Sequence, residues 1–337
     1  MKCIHCGSDS KLRDRKDKRC PRCRHPFAFE PTADSLRVTD GQFKSAVDRV
    51  SGEGKVLFTE RQLWYEFNRR WMKPGFLSSL ARLFGRSRAP RLLGPPRITF
   101  PEWERRFLRR WREVHGDVPG LLPGRQAALP KLPRQVPADV AAFSFDRAVV
   151  TDSWEMAAML VANRFHFEHN CAVLSRDGYP EGIADTVKEM LRRNPGLTVL
   201  ALHDATPGGC LLPLTLRDAE WFPGPEVRVV DLGLRPSTAR ALRVSTLIAT
   251  PAQLPPRLGE ILPPEDVEWL ERGHRAELAA LRPAQLLRAA YQGIVAASRA
   301  DGRWESGGGG TGDGGGVIWF GDMGGGGGDT AAVDGFG

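Results

Sequence analysis

The chain lacks any long apolar run. Across 337 residues its most hydrophobic stretches, such as Val149-Val150 and Ala157 to Ala162, end far short of a membrane span, which needs roughly 20 apolar residues. That excludes a helical membrane protein. Cysteine is scarce, six residues in all, which excludes a secreted scaffold stapled by disulfides. Met1-Lys2-Cys3 leads straight into a cysteine motif, so no signal peptide is expected and the expected location is cytoplasmic. What is present is ordinary for a folded protein: 41% hydrophobic and 26% charged residues, enough to build a core and too apolar for a wholly disordered chain. The length has room for two domains, or three small ones.

Charge is distributed unevenly. The net +8 divides into +5 over residues 1–30, −1 over 31–60, +11 over 61–112 and −7 over the remainder. Such asymmetry marks a polyanion-binding region joined to a domain with another task. The basic residues are mostly arginine, which suits phosphate, and double-stranded DNA is the expected partner. A solvated arginine-rich face is the bland reading of the same residues.

The first 30 residues hold Cys3-x2-Cys6 and Cys20-x2-Cys23. Each pair sits on a tight knuckle that converges two thiolates, and two knuckles supply the four ligands of a closed, structural zinc site. Gly7 after the first pair and Pro21 inside the second suit such turns. A module this small folds on its metal. Two disulfides are the other pairing, disfavoured in a reducing compartment. His5 and His25 stand beside a complete ligand shell. Cys171 and Cys210 read as buried thiols.

Residues 35–115 read as a basic helical domain. Asp40 caps a helix to Val50 with Phe43, Ala46, Val47 and Val50 as its stripe. Lys55 to Phe58 is a short β-like run. Thr59 and Gln62 form a capping box for a helix to about Trp71, whose buried face is Leu63, Trp64, Phe67 and Trp71. Tyr65 lies roughly 145° from that stripe, which predicts an exposed phenol between Arg61 and Arg69. That trio could hold a phosphodiester; a surface tyrosine stacked on arginines is the plainer reading. From Thr99 a second helix sets Trp103, Phe107 and Trp111 toward a core and Arg105, Arg106, Arg109, Arg110 and Arg112 outward. Helix, strand and helix with a basic face fit a winged helix on duplex DNA, with Arg69, Arg70, Arg105, Arg106, Arg109 and Arg110 as phosphate contacts.

Residues 116–145 begin rich in proline and glycine and read as a linker. Residues 146–300 then alternate strands and helices, β-α-β-α-β-α-β, which predicts a parallel sheet of the α/β class, followed by C-terminal helices. Asp152 and Asp204 each end a strand, where α/β sheets place acidic metal sites; helix and loop caps are the bland reading. Residues 305–337 are dominated by glycine and read as a disordered tail, interrupted by Val317 to Phe320, a sequence suited to docking a protein partner.

Thr59 to Tyr65, TERQLWY, resembles the Arg-acidic-Leu-Tyr-Tyr motif of the topoisomerase VI A subunit and its meiotic double-strand-break relatives. Ser175 to Pro180 resembles the Gly-Tyr-Pro turn of that family. Leu202 to Gly209 resembles its Asp-Ala-Asp-Pro-x-Gly metal motif, and Leu232 to Ser237 the Gly-Leu-Arg/His-Pro-Ser segment that follows. Pro263 to Asp266 and the helices to Gln292 are similar to its C-terminal end. The resemblance spans about residues 40–295 and implies a winged helix followed by a Toprim domain, Tyr65 as nucleophile, Arg61 beside it, Mg²⁺ on Asp204 and Asp152, and a homodimer in which each tyrosine meets the partner's Toprim site. Thr206 stands where the family has its second aspartate, and Thr151 or Asp152 where it has a glutamate; Glu155, one turn on, is a further acid. Related Toprim proteins also serve in bacterial plasmid defence.

Three functions are consistent with these features. The first is a DNA-binding adaptor or sensor with a degenerate Toprim domain in a bacterial DNA-transaction or defence system. The second is an active strand-breaking transesterase using Tyr65. The third is a zinc-ribbon scaffold for protein interactions.

Overall fold

The computed structural model describes residues 1–31, 36–69, 95–124, 145–177, 183–218 and 227–300. Arg70, Trp71, the turn at Gly178 to Pro180, most of the expected linker and the glycine-rich tail lie outside the described residues.

The cysteine module consists of two matched knuckles. The Gly7 N–H donates to the Cys3 carbonyl and the Arg24 N–H to the Cys20 carbonyl, both at 2.9 Å. Gly7 (φ +72°) and Arg24 (φ +61°), each just after the second cysteine of its pair, are left-handed, the conformation that turns a tight loop back. Single antiparallel bridges, Lys2 to Asp9 and Arg19 to Pro26, close the two loops.

Three helices follow: α1 (Asp40–Val50), α2 (Glu60–Asn68) and α3, a continuous run of Phe100–Trp103, Glu104–Leu108 and Arg109–His115. The cap of α1 is Thr39, not Asp40: Thr39 and Gln42 make a reciprocal capping box, and Asp40 is the buried first helical residue. Thr59 and Gln62 cap α2 as expected. The middle segment of α3 is a π-helical turn. Trp103, Phe107 and Trp111 are spaced by four, which in an α-helix drifts about 40° per step; the looser turn takes up that drift, so all three stay buried. They pack with Phe43 and Phe67, Phe43 stacking on Trp111 at 4.5 Å between centroids. Large rings contribute most of the burial here. Residues 55–58 pair at one point alone, a parallel bridge from Phe58 to Leu121, so the short strand expected there is reduced to that bridge.

The α/β part has strands β1 (Arg147–Thr151), β2 (Ala172–Ser175), β3 (Thr198–Leu202) and β4 (Arg228–Asp231) in one parallel sheet, ordered β2-β1-β3-β4. Between them run α4 (Trp154–Ala162), α5 (Phe165–Glu168), α6 (Ile183–Arg193), α7 (Pro207–Cys210) and α8 (Leu212–Arg217). β1, β2 and β3 are buried along nearly their whole length, as a sheet covered on both faces requires. The chain reverses its strand order between β1 and β3, the place where such sheets open a crevice at their C-terminal ends.

The C-terminal part is not purely helical. α9 (Pro236–Ala241), α10 (Pro264–Glu271) and α11 (Pro283–Ala300) enclose a two-stranded antiparallel pair, β5 (Thr246–Ile248) and β6 (His274–Ala276). β6 reaches the crevice through a bridge: Ala205 and Ala276 exchange both backbone hydrogen bonds, at 2.8 and 3.1 Å.

Candidate functional site

Cys3, Cys6, Cys20 and Cys23 bring all four sulfurs within 4.8 Å of one another. Cys3 Sγ and Cys23 Sγ are 3.7 Å apart, as are Cys6 Sγ and Cys20 Sγ. Thiolates bound at about 2.3 Å around a tetrahedral ion stand about 3.8 Å apart, so the cluster could hold one metal ion. Among the described residues it is the one such group of three or more potential ligands. Hydrogen bonds from the Cys23 backbone and the Ser8 hydroxyl pull the Cys20 thiol down to about 6, whereas burial and the neighbouring thiols push Cys23 up to about 12.

The module is tied to the helices by a buried carboxylate. Asp40 accepts the N–H groups of Ala28 and Phe29 at 3.1 and 2.8 Å and faces His115 Nε2 at 2.8 Å. The rings of His5, His25 and His115 stack in sequence, at 4.9 and 5.3 Å. Phe29 inserts among Phe43, Phe107 and Trp111.

Tyr65 is not exposed. Its side chain is 1% accessible, because α2 is covered by the aromatic core on one face and by the segment after β6 on the other. The phenol donates to Glu277 Oε2 at 3.1 Å. The same carboxylate forms a two-pronged pair with Arg61, Nε at 2.8 Å and Nη2 at 2.5 Å. Arg61 also lies over the rings of Phe100 and Trp64, 5.1 and 5.7 Å away. The Ala205–Ala276 bridge sets Asp204 opposite Glu277: Asp204 Oδ1 accepts the Leu278 N–H at 2.6 Å. The Asp204 N–H in turn donates to Asp152 Oδ2 at 2.9 Å. Arg61 and Tyr65 thus meet on Glu277, and the next residue, Leu278, links on through Asp204 to Asp152.

Burial dominates the electrostatics of this path. It raises the Tyr65 phenol, and the adjacent Glu277 carboxylate adds to that, against the pull of Arg61. Burial and the neighbouring Asp152 and Glu277 hold Asp204 well above the usual carboxylate range. Asp152 is raised by burial as well, and its Oδ1 is buried without a hydrogen-bond partner. Glu155, on α4, is raised by burial. Most of these oxygens point at protein donors rather than at a common centre, so the acids as arranged do not form a ready Mg²⁺ shell. Thr151 donates its hydroxyl to the Ser153 and Leu174 carbonyls, and Thr206 caps α7 by accepting the Gly209 N–H at 3.0 Å. Neither offers a ligand.

Behind Asp204 lies His203, fully buried, whose ring donates from Nδ1 to the Asp204 carbonyl at 2.9 Å and from Nε2 to Asp231 at 3.0 Å. Two acceptors require two donors, so this is an imidazolium. Burial opposes that charge, but the Asp231 carboxylate raises the ring's affinity for the proton. A Cβ at Gly233 would meet the His203 ring at 2.1 Å, so only glycine fits there.

Arg69 does not flank an exposed phenol. It pairs with Glu66, which is 2% accessible and also holds Arg49 and Arg282, at 3.2, 2.8 and 3.0 Å. The outer face of α3 matches expectation: Arg105, Arg106, Arg109 and Arg110 are exposed. Arg106 pairs with Glu102 and Arg110 with Glu113, whereas Arg105 and Arg109 have no ion pair among the described residues. Cys171 and Cys210 are buried thiols. Sequence reasoning missed Glu277 and Glu66. Glu66 carried a signal, a carboxylate within a run of arginines; Glu277 carried none, since its position depends on the bridge at Ala276.

No protein-family model matches the chain, and no curated protein matches it.

Proposed function

We propose that the chain binds the backbone of double-stranded DNA through α3 and uses its α/β part as a non-catalytic platform, as an adaptor or sensor in a bacterial DNA transaction. The observation that carries this is the outer face of α3, where Arg105 and Arg109 stand exposed, without an ion pair among the described residues, beside Arg106 and Arg110. Guanidiniums kept free of carboxylates retain their full attraction for phosphate. On this reading the four cysteines hold a structural zinc ion, which fixes residues 1–31 against α3. Affinity for random duplex DNA should fall steeply as salt rises, by about one logarithmic unit of slope per phosphate neutralised. A flat salt response removes the reading.

A second reading, the strand-breaking transesterase, is favoured by one observation: Tyr65, Arg61 and the acids lie together within a single chain. The Tyr65 oxygen would attack phosphorus, its proton passing to Glu277, while the P–O bond to the departing strand breaks and that oxygen takes a proton from water. The product is a phosphotyrosine at a strand break. Because the phenol is enclosed, the path from Arg61 to Asp152 has to open first. Labelled DNA incubated with Mg²⁺ or Mn²⁺ should become covalently attached, and Tyr65→Phe should abolish the adduct. No adduct with either metal eliminates this reading.

A further inference from the structure

Beside Tyr65 lies a pocket of about 180 Å³ lined in part by Arg69, Arg243, Ser245, Leu281 and Gln285. Its charge is out of balance. Glu66 is the one carboxylate in contact with Arg49, Arg69 and Arg282, and Arg243 has no ion pair among the described residues. Burial and the neighbouring Arg282 and Arg49 lower the affinity of Arg69 for its proton, with Glu66 alone opposing them. Elsewhere single carboxylates meet one guanidinium each, Glu277 with Arg61 and Asp266 with Arg240. Three guanidiniums on one carboxylate leave net positive charge behind the cavity, and Arg69 and the exposed Arg243 present it at the lining, which favours an anion there.

The lining narrows the chemistry. Two guanidiniums and one amide offer forked N–H donors and a neutral donor, the set that matches the oxygens of phosphate. The volume is below the 300–1,000 Å³ or so of sites for drug-sized ligands, so it fits a phosphoryl group rather than a whole nucleotide. We propose that this pocket binds a phosphate monoester, with Arg69 and Arg243 on its oxygens and Gln285 as a neutral partner. The proposal does not depend on α3 binding DNA. The phosphate could be carried by a free small molecule or by the 5′ end of a nucleic acid strand.

The test is calorimetric titration of the full chain with inorganic phosphate, with deoxyadenosine 5′-monophosphate, and with a short single-stranded oligonucleotide bearing either a 5′-phosphate or a 5′-hydroxyl. Saturable binding of the phosphate-bearing probes is expected. Arg243→Ala, an exposed position that should leave the fold intact, is expected to weaken it at least about tenfold, or about 1.4 kcal/mol. Arg69→Gln should do the same. Arg257→Ala, which removes an exposed arginine paired with Asp218, should not. A 5′-phosphate oligonucleotide that binds better than its 5′-hydroxyl form and better than the mononucleotide assigns the site to strand ends; equal binding of mononucleotide and oligonucleotide assigns it to free phosphate esters. Absence of binding by every phosphate probe at millimolar concentration overturns the proposal. Binding that is indifferent to both Arg243→Ala and Arg69→Gln overturns it equally.

Discussion

The Tyr65 hydroxyl donates to Glu277 across 3.1 Å, tying α2 to the segment that leaves β6. Glu277 also holds Arg61, so one carboxylate closes both the phenol and the guanidinium within the chain. The arrangement places the nucleophile suggested by the family resemblance in a shielded state, its proton held by burial and by the neighbouring negative charge.

Replacing that carboxylate should be costly. Glu277→Gln leaves Arg61, about two-thirds covered, without its counter-charge. The expected loss is about 2–3 kcal/mol, below the roughly 3–5 kcal/mol for breaking a fully buried pair, because Arg61 keeps some contact with water. Removing the charge also lowers the Tyr65 phenol toward its ordinary value. Urea denaturation reads the first effect and ultraviolet titration of the phenol the second. An unchanged midpoint would show that the pair contributes nothing to holding α2 against β6.

Asp204 and Asp152 should make stability depend on pH in a direction unusual for carboxylates. Both are raised in the folded chain, so the folded state binds protons that the unfolded state releases above about pH 4. Their stabilising contribution is complete below that point and is lost as pH rises through the folded values. Glu66 and Asp231, which arginines and His203 lower, act oppositely, losing stability as pH falls. The test is therefore the difference between parent and Asp204→Asn across pH 4 to 8. The variant, which keeps an acceptor for Leu278 N–H, should melt higher than the parent at neutral pH and no higher at pH 4. A difference independent of pH would contradict the raised proton affinity of Asp204.

The parallel sheet is readable because its signals are local: apolar runs such as Leu197 to Leu202, opened after the helix-stopping Asn194-Pro195-Gly196 and followed by Asp204, each separated by a helical stretch. The knuckle cysteines were readable for the same reason, since the chemistry and the spacing sit within a few residues. Tyr65 is buried where its angle from the stripe of Leu63, Trp64, Phe67 and Trp71 predicts exposure. That measure assumes the opposite face meets water, whereas the segment after β6 covers it. β5 and β6 are three residues each, too short to carry a period. Glu277 took its place only through a pairing with Ala205 from far along the chain. The cap expected at Asp40 falls one residue earlier, on Thr39, because Asp40 is spent on the backbone of Ala28 and Phe29.

Metal removal should loosen the amino-terminal module and leave the sheet intact. The cluster gathers few apolar residues, Phe27 with the cysteines and Met1, too little to fold without a bound ion. Metal analysis should find about one zinc per chain, and Cys20→Ser should abolish it. A chelator should then expose residues 1–31 to rapid amide exchange while β1 to β4 stay protected. Protection of residues 1–31 that survives complete metal loss would show that Asp40 and Phe29 alone hold the module in place.

The arginines of α3 separate binding from stability. Arg105 and Arg109 are exposed and have no ion pair among the described residues, so replacing both with alanine should change folding stability by less than about 0.5 kcal/mol. If each neutralises one phosphate, the double variant should lower the slope of log affinity against log salt by about two and weaken duplex binding most at low salt. Arg112→Ala serves as the internal comparison: Arg112 already pairs with Glu60 at 2.9 Å, so its loss should change the slope less than the loss of Arg105 or Arg109. Equal effects from all three would mean that only the overall charge of the chain matters, and that the geometry of α3 does not select the face that meets DNA.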